Sequence, residues 1–392
     1  MSSLDEFAAG KLRQLEAKGQ RRQLAETDPQ EGIEIRRDGR TYLSFCSNDY
    51  LNLSRHPETV KAAQDALARY GTGAGASRLV TGNHPLFAAL EARLAAFKGA
   101  EDCVVFGSGY LANLGIVPSL TGPGDLILAD ELSHACLLAG ARLSGADVAI
   151  FAHNDMAGLE ALLREHRGPA RHCLILTDGV FSMDGDLAPL DAVTRLATKY
   201  DAWAMTDDAH GLGVLGGGRG SSFIGGAKAP RKADIPLQMG TLSKAIGSYG
   251  GYLCASKTVC DFLRTRARTL IYSTGLPPAS VAASLAALDL IEADPLWAAS
   301  PVEKARRFTR TLGVPEAQSP IVPLILGDEL AALAASRLLA DEGFLVTAIR
   351  PPTVPEGTAR LRFTFTAAHD DRDIDRLAGL VRDKILPRRA AE

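Results

Sequence analysis

Three stretches carry residue types that could do chemistry. The first is QMGTLSKAIGSYGGY (238–252), in which Lys244 stands with almost no charged neighbour. The second is TDDAHGLG (206–213), with two acids and a histidine, and the third is FGSGYLAN (106–113), a glycine turn entering a helix start. A lysine among small or apolar residues is desolvated, which lowers its pKa and lets the amine act as a nucleophile. Free backbone N–H groups where a glycine turn enters a helix suit a phosphate. A nearby carboxylate can keep a ring nitrogen protonated, so that the ring draws electrons from a substrate carbanion. These are the needs of pyridoxal phosphate (PLP): a Schiff-base lysine, an acid for the pyridinium nitrogen and a phosphate site. Alone, each feature is ordinary: a loop lysine, capping acids, a core histidine, a common Gly-Ser-Gly. Their weight comes from occurring together, each at the close of an apolar run.

Those runs define the elements that must position the chemistry. DCVVFG, DLILAD, DVAIFA, HCLILTD, AWAMTD, IPLQMG and GYLCAS are short and continuously apolar. Continuous apolarity marks strands buried on both faces, hence a mainly parallel sheet wrapped by helices such as HPLFAALEARLAAFKG. Ligands of such sheets bind beyond the carboxyl ends of the strands. Ahead of this region, residues 4–25 read as a helix with Leu4, Phe7, Leu12 and Leu15 near one face. GIEIRRDGRTYLSF reads as two short strands around an Asp-Gly turn. From about 280 a small α+β unit follows, with strands SPIVPLILGD, GFLVTAIRP and RLRFTFTA and helices ELAALAASRLLADEG and DRDIDRLAGLVRDKI. The expected division is 1–56 (helix and short strands), 57–280 (large domain) and 281–392 (small domain).

The totals exclude several classes. The 392 residues, 46% of them hydrophobic, are enough for a substantial core, and a net charge of −3 offers no basic field for nucleic acid. The six cysteines form no C-x-x-C pair, which fits a reducing, cytoplasmic setting. No signal peptide and no membrane span are read. GTGAGASRLVTG (71–82) follows a helical stretch rather than a strand, so it fails as a dinucleotide fingerprint. There is no G-x-S-x-G elbow, and T-L-S-K has threonine where S-x-x-K hydrolases need serine. His153 and His166 lack ligand-spaced partners, so no metal is expected.

At the level of whole motifs the chain resembles the α-oxoamine synthases, fold-type-I PLP-dependent transferases. The resemblance rests on SNDYLNLS (47–54), GTGAGASRLVTGNH (71–84), DELSHACLLAGARLS (130–144), TDGVFSMDGDLAPL (177–190), TDDAHGLGVLG (206–216), TLSKAIGSYGGY (241–252) and YSTGLPP (272–278). It implies that Lys244 bonds to PLP and later moves the substrate Cα proton. It implies that Asp207 pairs with the pyridinium nitrogen, that His134 stacks on the ring, and that His210 and Ser182 reach the phenolic oxygen. Gly109 and Tyr110 would supply N–H groups to the phosphate, with Thr241 assisting. Arg350 would take the amino-acid carboxylate, Thr353 and Asn48 would line the substrate site, and Arg21 would meet the acyl substrate.

AIRPPTVPEGTARLRFTFTAAH (348–369) and YSTGLPP look most like the biotin-pathway branch, which condenses L-alanine with pimeloyl-CoA or pimeloyl carrier protein and releases CoA and CO2. Asp178 departs from that branch, which carries Glu there, and leans toward the members that join glycine to acetyl-CoA. The stretch 304–320 is shorter than the family pattern. The resemblance also implies a homodimer, with segment 71–82 entering the neighbour's site. Other family members use succinyl-CoA or long acyl-CoA. A non-catalytic PLP-fold subunit would be expected to have lost Lys244.

Overall fold

A computed structural model describes residues 2–224 and 230–386. Its contacts divide the chain into two compact units. One runs from Asn48 to Val302, and the other joins the residues before Asn48 to those from Glu303 onward. The boundary anticipated near 280 falls inside a helix, Pro278–Ala293.

The Asn48–Val302 unit is built on a seven-stranded sheet. In spatial order its strands are Asp102–Phe106, Gly251–Ala255, Leu237–Thr241, Trp203–Asp207, Cys173–Asp178, Leu126–Asp130 and Asp147–Phe151. These are the seven apolar runs of the sequence. Only Gly251–Ala255 runs against its neighbours, pairing antiparallel on both sides. The remaining pairs are parallel.

Alternation along each strand feeds two cores. Ile127, Ala129, Leu174, Leu176, Met205 and Met239 join one, while Leu126, Leu128, Cys173, Ile175 and Ala204 join the other. Asp147–Phe151 differs from the reading of burial on both faces: Val148 and Ile150 are 40% and 49% exposed. It is one of the two edge strands, with a single neighbour. Among the described residues no helix is long and apolar enough to cross a membrane.

In the other unit the Asp-Gly turn forms as read. Glu34–Arg37 and Arg40–Ser44 pair antiparallel, with Asp38 and Gly39 both at positive φ. Phe344–Leu345 joins this sheet in parallel beside Arg40–Ser44. A second sheet orders Ile321–Gly327, Ala359–Thr364 and Thr347–Ile349. Phe45, Phe308, Phe344, Phe363 and Phe365 fill one core between these elements. The amino-terminal helix is Ser3–Ala17, shorter than the stretch 4–25, and none of its residues is buried. Gly19, at φ 61°, follows its end.

His369 ties that core to the hairpin. Its Nδ1 accepts the Thr366 backbone N–H at 2.8 Å, and its Nε2 lies 3.1 Å from the Ser44 carbonyl. Burial pushes the imidazole down to about 3. The unfolded imidazole protonates near its ordinary value of about 6.5. Between those two values the unfolded state binds the extra proton, so stability falls as pH drops, by about 1.4 kcal/mol per pH unit from this group. His369→Gln is expected to remove that share of the acid slope in denaturant titrations run from pH 7 to pH 4. An unchanged slope would contradict the assignment.

Candidate active site

Strand ends bring the three stretches of the sequence together. Asp207 closes Trp203–Asp207 and Thr241 closes Leu237–Thr241, and these two strands are parallel neighbours. The helix Gly109–Leu120 starts just after Asp102–Phe106. Its cap, Ser108, accepts the Leu111 N–H with its hydroxyl and the Ala112 N–H with its carbonyl. The N–H groups of Gly109 and Tyr110, in the first turn, are left for a ligand. A Cβ at Gly109 would lie 3.2 Å from the Thr241 Cβ, so the helix start and the threonine are in close contact. The Thr241 hydroxyl itself lies 2.8 Å from the Gly250 carbonyl and donates to it.

Lys244 lies just past Thr241, half-buried. Its Nζ is 2.6 Å from His210 Nε2, and His210 Nδ1 is 2.7 Å from the Tyr50 hydroxyl. That hydroxyl reaches the Asn48 Oδ1 at 3.3 Å. One polarity satisfies the whole string. A protonated Lys244 donates to Nε2, Nδ1–H donates to the Tyr50 oxygen, and Tyr50 donates to Asn48.

The two adjacent acids separate. Asp207 accepts the Asn113 side-chain N–H at 2.7 Å and the Ala209 backbone N–H at 3.0 Å. Asp208 faces away and pairs with Lys98 at 2.8 Å, both side chains having no exposed surface. It also accepts the Ser221 backbone N–H. Beside Asp207, in register on the adjacent strand, sits Asp178. Burial, then the charge of Asp207, raises the Asp178 carboxyl well above its ordinary value. Asp178 holds the backbone N–H of His134 at 2.8 Å.

His134 caps the helix Ala135–Ser144 and keeps part of its surface open. Its imidazole is lowered by desolvation; the Asp207 charge opposes that shift and Lys244 adds to it. Ser182 is half-buried in the turn after Cys173–Asp178, inside the Val180–Leu187 bridge.

Lys244, His210, Asn48, Asp207, His134, Ser182, Gly109, Tyr110 and Thr241 thus belong to one unit. Arg21, Arg350 and Thr353 belong to the other. Arg21 is 3.0 Å from Glu16, in the last turn of the preceding helix, whereas the adjacent Arg22 donates to the Thr353 hydroxyl at 2.7 Å. Arg350 donates to the Gly19 carbonyl. Tyr50, Asn113 and Cys136 were not singled out from the sequence. Each lies inside a quoted motif, but residue type alone did not separate them from core residues. His153, read as lacking ligand-spaced partners for a metal, bridges Asp130 and Asp186 at 3.0 and 2.8 Å. Burial lowers its imidazole, but the two carboxylates outweigh that and raise it to about 10. Those partners come from other strands and turns, which linear spacing does not reveal.

Comparison with known proteins agrees with this geometry. The family "Aminotransferase class I and II" matches residues 40–381. A Parvibaculum lavamentivorans protein is 68% identical over 393 residues, covering 100% of both chains. The 8-amino-7-oxononanoate synthase of Maricaulis maris is 61% identical over 391 residues, covering 100% of this chain and 99% of its own. Among solved structures, the serine palmitoyltransferase of S. paucimobilis with bound PLP–myriocin aldimine superposes with a TM-score of 0.89. That match is 27% identical and covers 97% of this chain and 98% of the other. The chain belongs to the aminotransferase class I and II family, on its α-oxoamine synthase branch. PLP is the cofactor of these enzymes, and the fold is fold-type I. The residues present fit that group: a helix start for phosphate, a buried hydrogen-bonded acid, and a lysine amine held beside a histidine.

The separation of the two acids is open to test. Asp208→Ala leaves the Lys98 ammonium buried and unpaired, which is expected to cost about 3–5 kcal/mol of unfolding free energy. Chemical denaturation measures it, and a loss below about 1 kcal/mol would refute the pairing.

Proposed function

We propose that this chain catalyses the PLP-dependent condensation of L-alanine with pimeloyl-CoA or pimeloyl carrier protein. The products are 8-amino-7-oxononanoate, CoA (or the free carrier) and CO2, a step of biotin biosynthesis. The observation that carries this reading is the 61% identity, over essentially whole chains, to a relative named for that product. Serine palmitoyltransferase, which shares the fold, is 27% identical. A homodimer in the cytoplasm is part of the same proposal, with segment 71–82 entering the partner's site.

When bound, PLP supplies an aldehyde carbon for amines and a ring that withdraws electrons from the substrate Cα. The rest is the work of this chain. Lys244 Nζ would be the amine that bonds to the cofactor and would later accept the Cα proton of alanine. His210 stands against Nζ and orients it, and Tyr50 holds the far nitrogen of His210. Asp207 would face the ring nitrogen, its carboxylate fixed by Asn113. The Gly109 and Tyr110 N–H groups would hold the phosphate, with the Thr241 hydroxyl turning from the Gly250 carbonyl to assist, and Ser182 with His210 would meet the phenolic oxygen. His134 would cover the ring and orient the thioester carbonyl. Arg350, Thr353 and Asn48 take the amino-acid part, and Arg21 takes the acyl part.

Asp178 leaves one rival in view, the condensation of glycine with acetyl-CoA. Asp for Glu keeps the carboxyl group and shortens the side chain by one methylene. In this structure the shorter acid still reaches a backbone N–H, so the change is accommodated and does not itself argue for glycine.

Two outcomes are expected. Borohydride treatment of the purified protein should fix PLP to the peptide containing Lys244 and to no other, and Lys244→Ala should abolish the labelling. Mass spectrometry of products should show 8-amino-7-oxononanoate from alanine and pimeloyl-CoA. Glycine with acetyl-CoA should be at least ~10-fold slower, since a methyl and an acyl chain must both be discriminated. A faster glycine–acetyl-CoA reaction would overturn the substrate assignment.

A further inference from the structure

Cys136 is the second residue of the helix that His134 caps, and it is 2% exposed. Its Sγ is 2.8 Å from His134 Nδ1 and 3.0 Å from Asn113 Nδ2. The same Asn113 nitrogen donates to Asp207 at 2.7 Å. The Cys136 backbone N–H also points at His134 Nδ1, at 3.3 Å. These contacts fix the directions of the hydrogens. An amide NH2 can only donate, so the sulfur accepts from Asn113. The sulfur's own proton is then directed to the remaining polar neighbour, His134 Nδ1. That nitrogen receives two donors, one from sulfur and one from the backbone, so it cannot carry a proton itself. The imidazole proton is left on Nε2.

We infer that Cys136 is a positioning residue that holds His134 in its neutral, Nε2–H form and aims that N–H away from the helix. The side chain joins the acid and the histidine through one path: Asp207, Asn113, Cys136, His134. It needs a thiol rather than a thiolate, and burial with the nearby Asp207 charge pushes Cys136 up to about 12. A thiol in this position is a proton donor throughout the neutral range, and its exchange for an apolar group removes that donor together with the acceptor of one Asn113 N–H. The groups that act on His134 from the surrounding elements are Asp207 from its strand end, Lys244 from the following loop and Asp178 through the backbone N–H. None of these changes when the cysteine does. The inference builds on the reading of His134 as a residue over the cofactor, but the tautomer can be measured without that reading.

The test compares the parent holoenzyme with Cys136→Ala and Cys136→Ser, in protein labelled with 15N-histidine. His134→Gln identifies the His134 signals. The parent and Cys136→Ser are expected to show a single Nε2–H tautomer, because serine restores an O–H donor at the same place. Cys136→Ala keeps only the longer backbone N–H contact to Nδ1, so it is expected to populate the Nδ1–H tautomer as well, and its imidazole should titrate about 0.5–1 pH unit higher, the equivalent of one lost hydrogen bond. The acid limb of kcat/KM should move in the same direction in Cys136→Ala and stay in place in Cys136→Ser. An unchanged tautomer and titration in Cys136→Ala would overturn the inference, as would a serine variant that behaves like alanine. Failure of the condensation assay alone bears on the functional reading and leaves the NMR outcome to decide this one.

Discussion

Asp207 and Asp208 leave the same strand end in opposite directions, and the site depends on that divergence. Adjacent residues of a strand point to opposite sides. Here one side carries Asp207 toward Asn113 and the candidate site, and the other is a fully buried ion pair with Lys98. Burying two charges is expensive, and the pair is tolerated because each partner has a further hydrogen bond besides the other. Asp208 takes the Ser221 N–H, and Lys98 also donates to the Arg219 carbonyl at 2.5 Å. The backbone closes tightly on the carboxylate. A Cβ at Gly220 would come within 1.8 Å of Asp208 Oδ2, and one at Gly211 within 2.1 Å of Oδ1. Gly220 also sits at φ 104°, where a side chain would be strained. The anchor therefore fixes the loop after Asp207, and with it His210.

With the loop fixed, the electrostatics of the face follow. Asp178 and Asp207 are register partners on parallel strands, and two buried carboxylates so close do not ionise together easily. The structure resolves the conflict by unequal solvation. Asp207 receives a side-chain and a backbone N–H, while Asp178 receives one backbone N–H. Asp178, the carboxyl with the poorer hydrogen bonding, is the one pushed up, by burial and then by the Asp207 charge. Lys244 is supplied with an acceptor, His210, whose other nitrogen is itself engaged by Tyr50. The amine is oriented by that imidazole.

Much of this was legible in the sequence, and the limits have physical causes. The seven strands were readable because burial on both faces leaves an unbroken apolar run. Their order was not, since it depends on which faces meet in space; the antiparallel Gly251–Ala255 sits between two strands that point the other way. Lys244, Asp207 and His210 stood out because ionisable groups at the ends of apolar runs are unusual. Lys98 did not, since a lysine closing an amphipathic helix ordinarily reaches water, and only the fold shows it buried against Asp208. Asn113 and Cys136 look like core residues on a helix, and their polar work appears only when Asp207 and His134 are placed beside them. The joining of the amino-terminal hairpin to the carboxyl-terminal strands was equally hidden. Phe344–Leu345 pairs with Arg40–Ser44 across three hundred residues of chain, and neither strand is long enough to announce its partner.

The same reasoning explains why two adjacent arginines could not be told apart beforehand. Read as a helix through residue 25, Arg21 and Arg22 would lie about 100° apart on one surface, and either could face a substrate. The helix instead stops at Ala17, and Gly19 adopts the left-handed conformation that ends helices. Beyond it the chain carries no helix or strand until Asp28–Pro29. Arg21 turns back to Glu16, whose oxygen is exposed and in reach, while Arg22 is carried to Thr353. Arg350 holds the turn itself by donating to the Gly19 carbonyl. The segment 19–22 is thus set by contacts with residues 350–353 rather than by its own periodicity. A substitution at Gly19 or Arg350 acts on the direction of both arginines before it acts on any ligand.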